Sequence, residues 1–221
     1  MASGTLYIVS TPIGNLEDMT FRAVRVLKEA DLIAAEDTRR SSKLFDHYGI
    51  NNRVTSFHSH NIRARIPALI AELEKGKDVA LVSDSGTPGI SDPGSVLVKE
   101  CVDKGMDVKA VPGPTAAIAA LVVSGKPTHK FLFEGFLSNK KGKRRRQIEA
   151  LKEEERTVIV YESPHRIIKF LEDFRDICGE RELAVARELT KKFEEVVRGT
   201  ATELTEHFGR KQPRGEFIVV F

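Results

Sequence analysis

Short apolar runs alternate along this chain with longer stretches in which apolar positions recur every three or four residues. That is the pattern of buried strands feeding amphipathic helices. Residues 6–10 predict a first strand, and Phe21, Val24 and Leu27 follow at helical spacing. Strands are predicted at 32–35, 54–57, 79–82 and 108–111, and helices at 62–75, 95–104 and 115–123. After Ser124-Gly125-Lys126-Pro127, a strong helix breaker, the pattern restarts. Strands are expected at 131–133, 157–161, 183–186 and 216–221, with an edge strand at 195–198. Helices are expected at 145–152, 167–177 and 202–208, and 138–144 reads as a basic loop. The fold class is therefore α/β, in two domains, 1–124 and 125–221.

Composition narrows the class without changing it. With 41% hydrophobic and 30% charged residues the chain is neither disordered nor membrane-embedded, and no apolar run approaches the roughly 18–20 residues of a membrane helix. The N-terminus lacks the basic and apolar regions of a secretory signal. Cys101 and Cys178 stand alone, so neither a disulfide nor a metal framework is expected, and the cytoplasm is the expected compartment. The net charge of +3 is local in origin: Lys140, Lys141, Lys143, Arg144, Arg145 and Arg146 lie within seven positions, and without them the balance would change sign. Such a cluster can neutralise phosphates and release counterions, which points to RNA; the alternative is a solvated basic loop.

The loops after the strands carry the candidate chemistry, because ligands of open α/β sheets sit at the carboxyl ends of strands. Ser10-Thr11-Pro12-Ile13-Gly14-Asn15-Leu16 follows the first strand. The run from Ser83 to Gly94, SDSGTPGISDPG, is much longer than the roughly two to six residues usual for a βα loop. Within it Asp92 before Pro93 fits a helix N-cap. Pro112-Gly113-Pro114-Thr115-Ala116-Ala117 delivers a helix start lined by small residues. A phosphate site competes for that position, but neither GxxxxGK[ST] nor GxGxxG occurs. In the second half, Tyr161-Glu162-Ser163-Pro164-His165-Arg166 and Ala186-Arg187-Glu188-Leu189-Thr190 follow strands in the same way, Ser163 and Pro164 fitting a cap and first turn.

Taken together and in order, TPIGNL, AEDTR, SDSGTPGISDPG, PGPTAA, YESPHR and ARELTK resemble the tetrapyrrole-methylase-type (class III) methyltransferases, over nearly the whole chain. Within that family the chain most resembles the branch that methylates a cytidine ribose 2′-oxygen in bacterial small-subunit ribosomal RNA. The resemblance implies two α/β domains with S-adenosylmethionine in the cleft between them. It implies cofactor contacts from Pro12, Ser85, Gly86, Thr87, Ile90, Thr115 and Ala116, joined by Glu162 and Leu189 from the second half. Where tetrapyrrole methylases usually carry Gly-Asp-Pro, this chain has Gly86-Thr87-Pro88, which fits the ribosomal branch. Family members are commonly homodimers, so a homodimer is expected.

Methyl transfer from a sulfonium is an in-line displacement in which alignment does most of the work. A ribose hydroxyl is a poor nucleophile, so a base or a cation near it would help. Glu36, Asp37, Arg39, His58, His60, Arg187 and Glu188 are the candidates, with Asp37 and Arg39 placed nearest the acceptor. The six clustered cations and Arg187 are the expected RNA contacts, and the expected partner is small-subunit ribosomal RNA. The competing readings are a methylase of a tetrapyrrole or corrin intermediate and a non-catalytic RNA-binding module.

Overall fold

The computed structural model describes residues 3–221. They form two compact units, the first ending at Thr115 and the second beginning at Ala116.

The first unit is built on β1 (Leu6–Val9), β2 (Leu32–Ala35), β3 (Val54–Ser56), β4 (Val79–Val82) and β5 (Val108–Val111), all parallel, in the order β3-β2-β4-β1-β5. A parallel sheet buried on both faces needs strands that are apolar at every position, and β2 and β4 are. Ile33, Ala35, Ala80 and Val82 join one core with α1 (Phe21–Glu29) and α2 (Thr38–Tyr48). Their alternating neighbours Leu32, Ala34, Val79 and Leu81 join the other, with α3 (Ile62–Glu74) and α4 (Ser95–Asp103). Of these elements α2 has no counterpart among those the sequence pattern predicts. It is a helix capped by the Asp37 carboxylate at its start and by left-handed Gly49 at its end.

The second unit carries β6 (Phe131–Phe136), β7 (Thr157–Glu162), β8 (Glu182–Arg187), β9 (Glu195–Thr200) and β10 (Phe217–Val220), in the order β6-β7-β10-β8-β9. Only β6–β7 is parallel; the other pairs are antiparallel. One face packs Val158, Val160, Leu183, Val185, Phe217 and Val219 against α6 (Lys141–Ala150), α7 (Ile167–Cys178) and α8 (Ala201–Gly209), around Phe170, Phe174, Phe208 and Phe221. The alternating residues Ile159, Ala184, Ala186, Ile218 and Val220 are equally buried on the opposite face. That face is covered by α5 (Ala116–Ser124), which packs on β7, β8, β9 and β10 through Ala117, Ala120 and Leu121. This is why α5 belongs to the second unit, although the helix-breaking run that suggested the division lies after it.

The basic segment is helix rather than loop: α6 begins at Lys141, earlier than the sequence pattern suggested. Asp92 and Ser163 do not occupy N-cap positions either. Gly94 precedes α4 and Arg166 precedes α7, neither with a side-chain cap, because the turns before those helices run further than expected. Among the described residues no helix is long and apolar enough to cross a membrane.

Candidate active site

The carboxyl edge of the first sheet gathers the loops after β1, β4 and β5. Thr11 N donates to Gly86 O at 2.9 Å, and Thr11 Oγ1 lies 3.2 Å from Ser83 O. Thr87 Oγ1 lies 3.1 Å from Pro114 O, 2.9 Å from Ser10 Oγ and 2.8 Å from Thr115 Oγ1. A carbonyl has no proton to give, so Thr87 donates to Pro114 O and accepts from both Ser10 and Thr115. One side chain thereby ties three strand-end loops together. Gly86 sits at φ +81°, and a Cβ there would fall 3.2 Å from Ile13 Cγ2 and 3.4 Å from Pro114 O, so the loops close only around a glycine.

The residues expected at the cofactor fall mostly within this assembly. Pro12 and Gly86 are buried in its floor, Ser85 and Thr87 half-buried, and Ile90 exposed on the rim of the β4 loop. Thr115 and Ala116 are half-buried at the start of α5. None of the three loops carries a lysine or arginine: 10–16, 83–94 and 112–117 offer hydroxyls, backbone groups and the carboxylates of Asp84 and Asp92. That donor set suits a ligand with a cationic centre, such as an adenosyl sulfonium, better than a phosphate.

On its other side the β4 loop meets the loops after β2 and β3. Asp84 N donates to Glu36 Oε2 at 3.3 Å, and Asp37 N donates to Asp84 Oδ1 at 2.9 Å. Arg40 Nη1 lies 3.1 Å from Asp84 Oδ2. The Glu36 carboxyl is pushed above its ordinary value by burial and by the negative charge of Asp84, with the Asp84 amide, Arg40 and His58 opposing. Asp37 behaves oppositely: hydrogen bonds from Arg39 hold it below the usual carboxylate range. Arg39 Nη2 lies 3.3 Å from Asp37 Oδ2, with its side chain 91% exposed. Asp37 and Arg39 thus pair with each other, and Asp37 also caps α2. His58 stands beside this group with a buried Nδ1 that has no hydrogen-bond partner and an Nε2 3.2 Å from Asn61 Nδ2.

In the second unit, the expected cofactor contact Glu162 is 2% exposed. Its Oε1 accepts from Ser163 N at 2.7 Å and pairs with Arg166 Nη2 at 2.7 Å. Burial pushes this carboxyl upward, and its Oε2 has no hydrogen-bond partner among the described residues. Leu189 is buried between two non-glycine residues in left-handed conformation, Glu188 (φ 51°) and Thr190 (φ 67°). Such conformations cost about 1–3 kcal/mol each and concentrate at functional turns. Arg187 and Glu188 do not pair with each other. Arg187 Nε lies 2.9 Å from Glu195 Oε1, and Glu188 Oε1 pairs with Lys191 Nζ at 2.9 Å.

The six clustered cations divide by helix face. Arg144 is buried in α6 and donates through Nε (2.9 Å) and Nη2 (2.6 Å) to Asp173 Oδ2. Arg145 Nη1 reaches Asp173 Oδ1 at 2.9 Å and Asp176 Oδ2 at 3.0 Å. These two are therefore engaged within the unit, and only Lys140, Lys141, Lys143 and Arg146 stand exposed without an ion pair.

Comparison with known proteins agrees with the geometry. The sequence profile of the tetrapyrrole (corrin/porphyrin) methylases matches residues 5–205. The "Ribosomal RNA small subunit methyltransferase I" of Synechocystis is 51% identical over 98% of this chain and 78% of its own length. The protein of the same name from Thermotoga maritima is 49% identical over 98% of this chain and 97% of its own length. A solved cobalt precorrin-4 methyltransferase superposes with a TM-score of 0.72 at 18% identity, covering 98% of this chain and 94% of that one. That identity speaks for the fold alone.

Proposed function

This chain belongs to the tetrapyrrole (corrin/porphyrin) methylase family, and from that premise we propose that it transfers a methyl group from S-adenosylmethionine to a cytidine ribose 2′-hydroxyl in small-subunit ribosomal RNA. The observation that carries this reading is the near-full-length likeness, at 49% and 51% identity, to proteins named as small-subunit ribosomal RNA methyltransferases. Two further expectations travel with it from the family resemblance: action in the cytoplasm and assembly as a homodimer.

The loops tied by Thr87, with Pro12, Ser85, Gly86, Ile90, Thr115 and Ala116, are the residues we assign to the cofactor. When bound, S-adenosylmethionine supplies an electrophilic methyl carbon on a sulfonium. The chain's task is to bring the ribose oxygen in line with that carbon and to accept its proton. As the methyl group passed to the ribose oxygen, the hydroxyl proton would leave for a base supplied by the chain. Glu36 suits that role better than Asp37. Its carboxyl is raised towards neutrality, whereas Asp37 is lowered by Arg39 and occupied as a helix cap. Arg39, exposed beside it, is positioned to meet the RNA backbone. Lys140, Lys141, Lys143 and Arg146 provide further phosphate contacts.

Incubation with labelled S-adenosylmethionine and small ribosomal subunits from a strain lacking this methylation tests the proposal. Label in the RNA supports it. If subunits stay unlabelled while a tetrapyrrole precursor accepts the methyl group, the substrate assignment is overturned; if the cofactor binds and nothing is methylated, a non-catalytic RNA-binding role takes its place.

A further inference from the structure

The turn that follows β8 and the connection between α8 and β10 flank a half-open cavity of about 470 Å³, lined by Arg187, Glu188, Phe193, Lys211, Arg214 and Gly215 among others. Its volume falls in the range of small-ligand pockets. The two segments lie close because Gly215, at φ +90°, lacks a side chain; a Cβ there would collide with the Glu188 side chain. The strained turn at Glu188 and Thr190 is thus one wall, and the segment carrying Lys211 and Arg214 is the other.

The lining combines two chemistries. Among the described residues Lys211 and Arg214, both exposed, have no ion-pair partner; Arg187 also lines the cavity from the end of β8 but is paired with Glu195. The carboxylate in the lining, Glu188, is outnumbered by the lining cations and shares Lys191 with Glu216. The balance is cationic. Phe193 is 66% exposed, so a ring face is open to solvent, and Lys192 Nζ sits 5.8 Å from its centroid. An exposed ring beside unpaired cations is the combination that holds single-stranded nucleic acid: the ring stacks a base and the cations take the adjoining phosphates. A purely anionic ligand would not call for the ring, and an apolar protein segment would not call for the cations.

We propose that this cavity is a subsite for one nucleotide of single-stranded RNA, with the base stacked on Phe193 and the flanking phosphates held by Lys211 and Arg214. The proposal rests on the RNA substrate class argued above and adds a place on the second unit where that RNA is gripped. Stacking without hydrogen-bond readout tolerates any base, so the subsite orders an unpaired strand rather than choosing its sequence.

The test uses the whole protein and fluorescein-labelled oligocytidylate, with binding followed by anisotropy across a salt series. Phe193→Ala should weaken binding roughly 5- to 150-fold, the range for losing one stacked base, while Phe193→Trp should retain it. Lys211→Ser with Arg214→Ser should lower the slope of log affinity against log salt by about 1.4, two phosphate contacts at the single-strand value. Unchanged affinity and slope in these variants, or no oligocytidylate binding by the wild type, would overturn the subsite. So would loss of binding only in the cation variant, matched by equal loss with polyphosphate, since that describes an anion site. Methyl transfer to small subunits by the wild type, run in parallel, separates the two claims. Transfer with unaffected variants leaves the function standing without the subsite, and affected variants without transfer leave the subsite standing without the function.

Discussion

Arg144 lies in the middle of a basic run, yet its side chain and that of Asp173 are each only 4% exposed. Two guanidinium nitrogens converge on one carboxylate oxygen at 2.9 and 2.6 Å, while Arg145 takes the other oxygen. Arg144→Met keeps the bulk and removes the charge, leaving Asp173 in the same buried position with Arg145 alone. Removing one partner of a buried pair typically costs about 3–5 kcal/mol; with Arg145 still holding Asp173 Oδ1, the loss should lie at the lower end of that range. The midpoint of thermal unfolding should then fall by on the order of 10 °C or more. Lys141→Ser, three positions earlier on an exposed face, should stay within about 0.5 kcal/mol of wild type. Circular dichroism during heating and guanidinium titration reads both. Adding Asp173→Leu to Arg144→Met should recover part of the loss, since a buried pair replaced by apolar residues is often nearly neutral. If Arg144→Met were as stable as Lys141→Ser but bound RNA more weakly, Arg144 would be a phosphate contact and the argument from burial would be refuted.

Four other outcomes are expected. Thr87→Val, nearly isosteric, removes the hydroxyl shared by Ser10, Pro114 and Thr115; it should cost about 1–3 kcal/mol of stability and weaken S-adenosylmethionine binding by calorimetry, with Thr87→Ser restoring both. Methyl transfer should rise with pH along a limb lying above the ordinary glutamate value of 4.5, because Glu36 must be ionised to accept a proton and burial raises its pKa; Glu36→Gln should remove the limb and slow transfer about 10²- to 10⁴-fold. The same raised value has a stability consequence: the Glu36 contribution is complete below 4.5 and is lost as pH climbs through the folded-state pKa, so Glu36→Gln should flatten that loss in pH-dependent unfolding. Replacing Lys140, Lys141, Lys143 and Arg146 with Ser should lower the salt slope of RNA binding while leaving cofactor affinity unchanged.

Much of the fold was legible because β2 and β4 are short, uniformly apolar and sharply bounded, as strands of a doubly covered parallel sheet must be. The first helix missed, α2, opens Thr-Arg-Arg-Ser-Ser and buries only Ser41, Leu44 and Phe45, too few apolar positions to show a period. The sequence pattern starts α6 four residues late for a related reason: one of its two buried residues is Arg144, so the stripe with Ile148 looks polar in sequence. The placement of α5 depends on an uncovered face of the second sheet, which no local pattern records. At the site, the length and turn chemistry of SDSGTPGISDPG marked a ligand loop. The partners of Thr87, 77 residues away at Ser10 and 28 away at Thr115, come only from the strand order. The difference between Glu36 and Asp37 is likewise one of burial and neighbours, which adjacent positions in a sequence do not reveal.

The central claim is that the acceptor is a cytidine ribose oxygen in small-subunit RNA. The most direct measurement digests small-subunit RNA to nucleosides, before and after incubation with the protein and S-adenosylmethionine, and quantifies them by mass spectrometry. A gain in 2′-O-methylcytidine, absent with Glu36→Gln, is the predicted result. A gain in base-methylated nucleosides alone, or no gain while the protein still binds the cofactor, would contradict it.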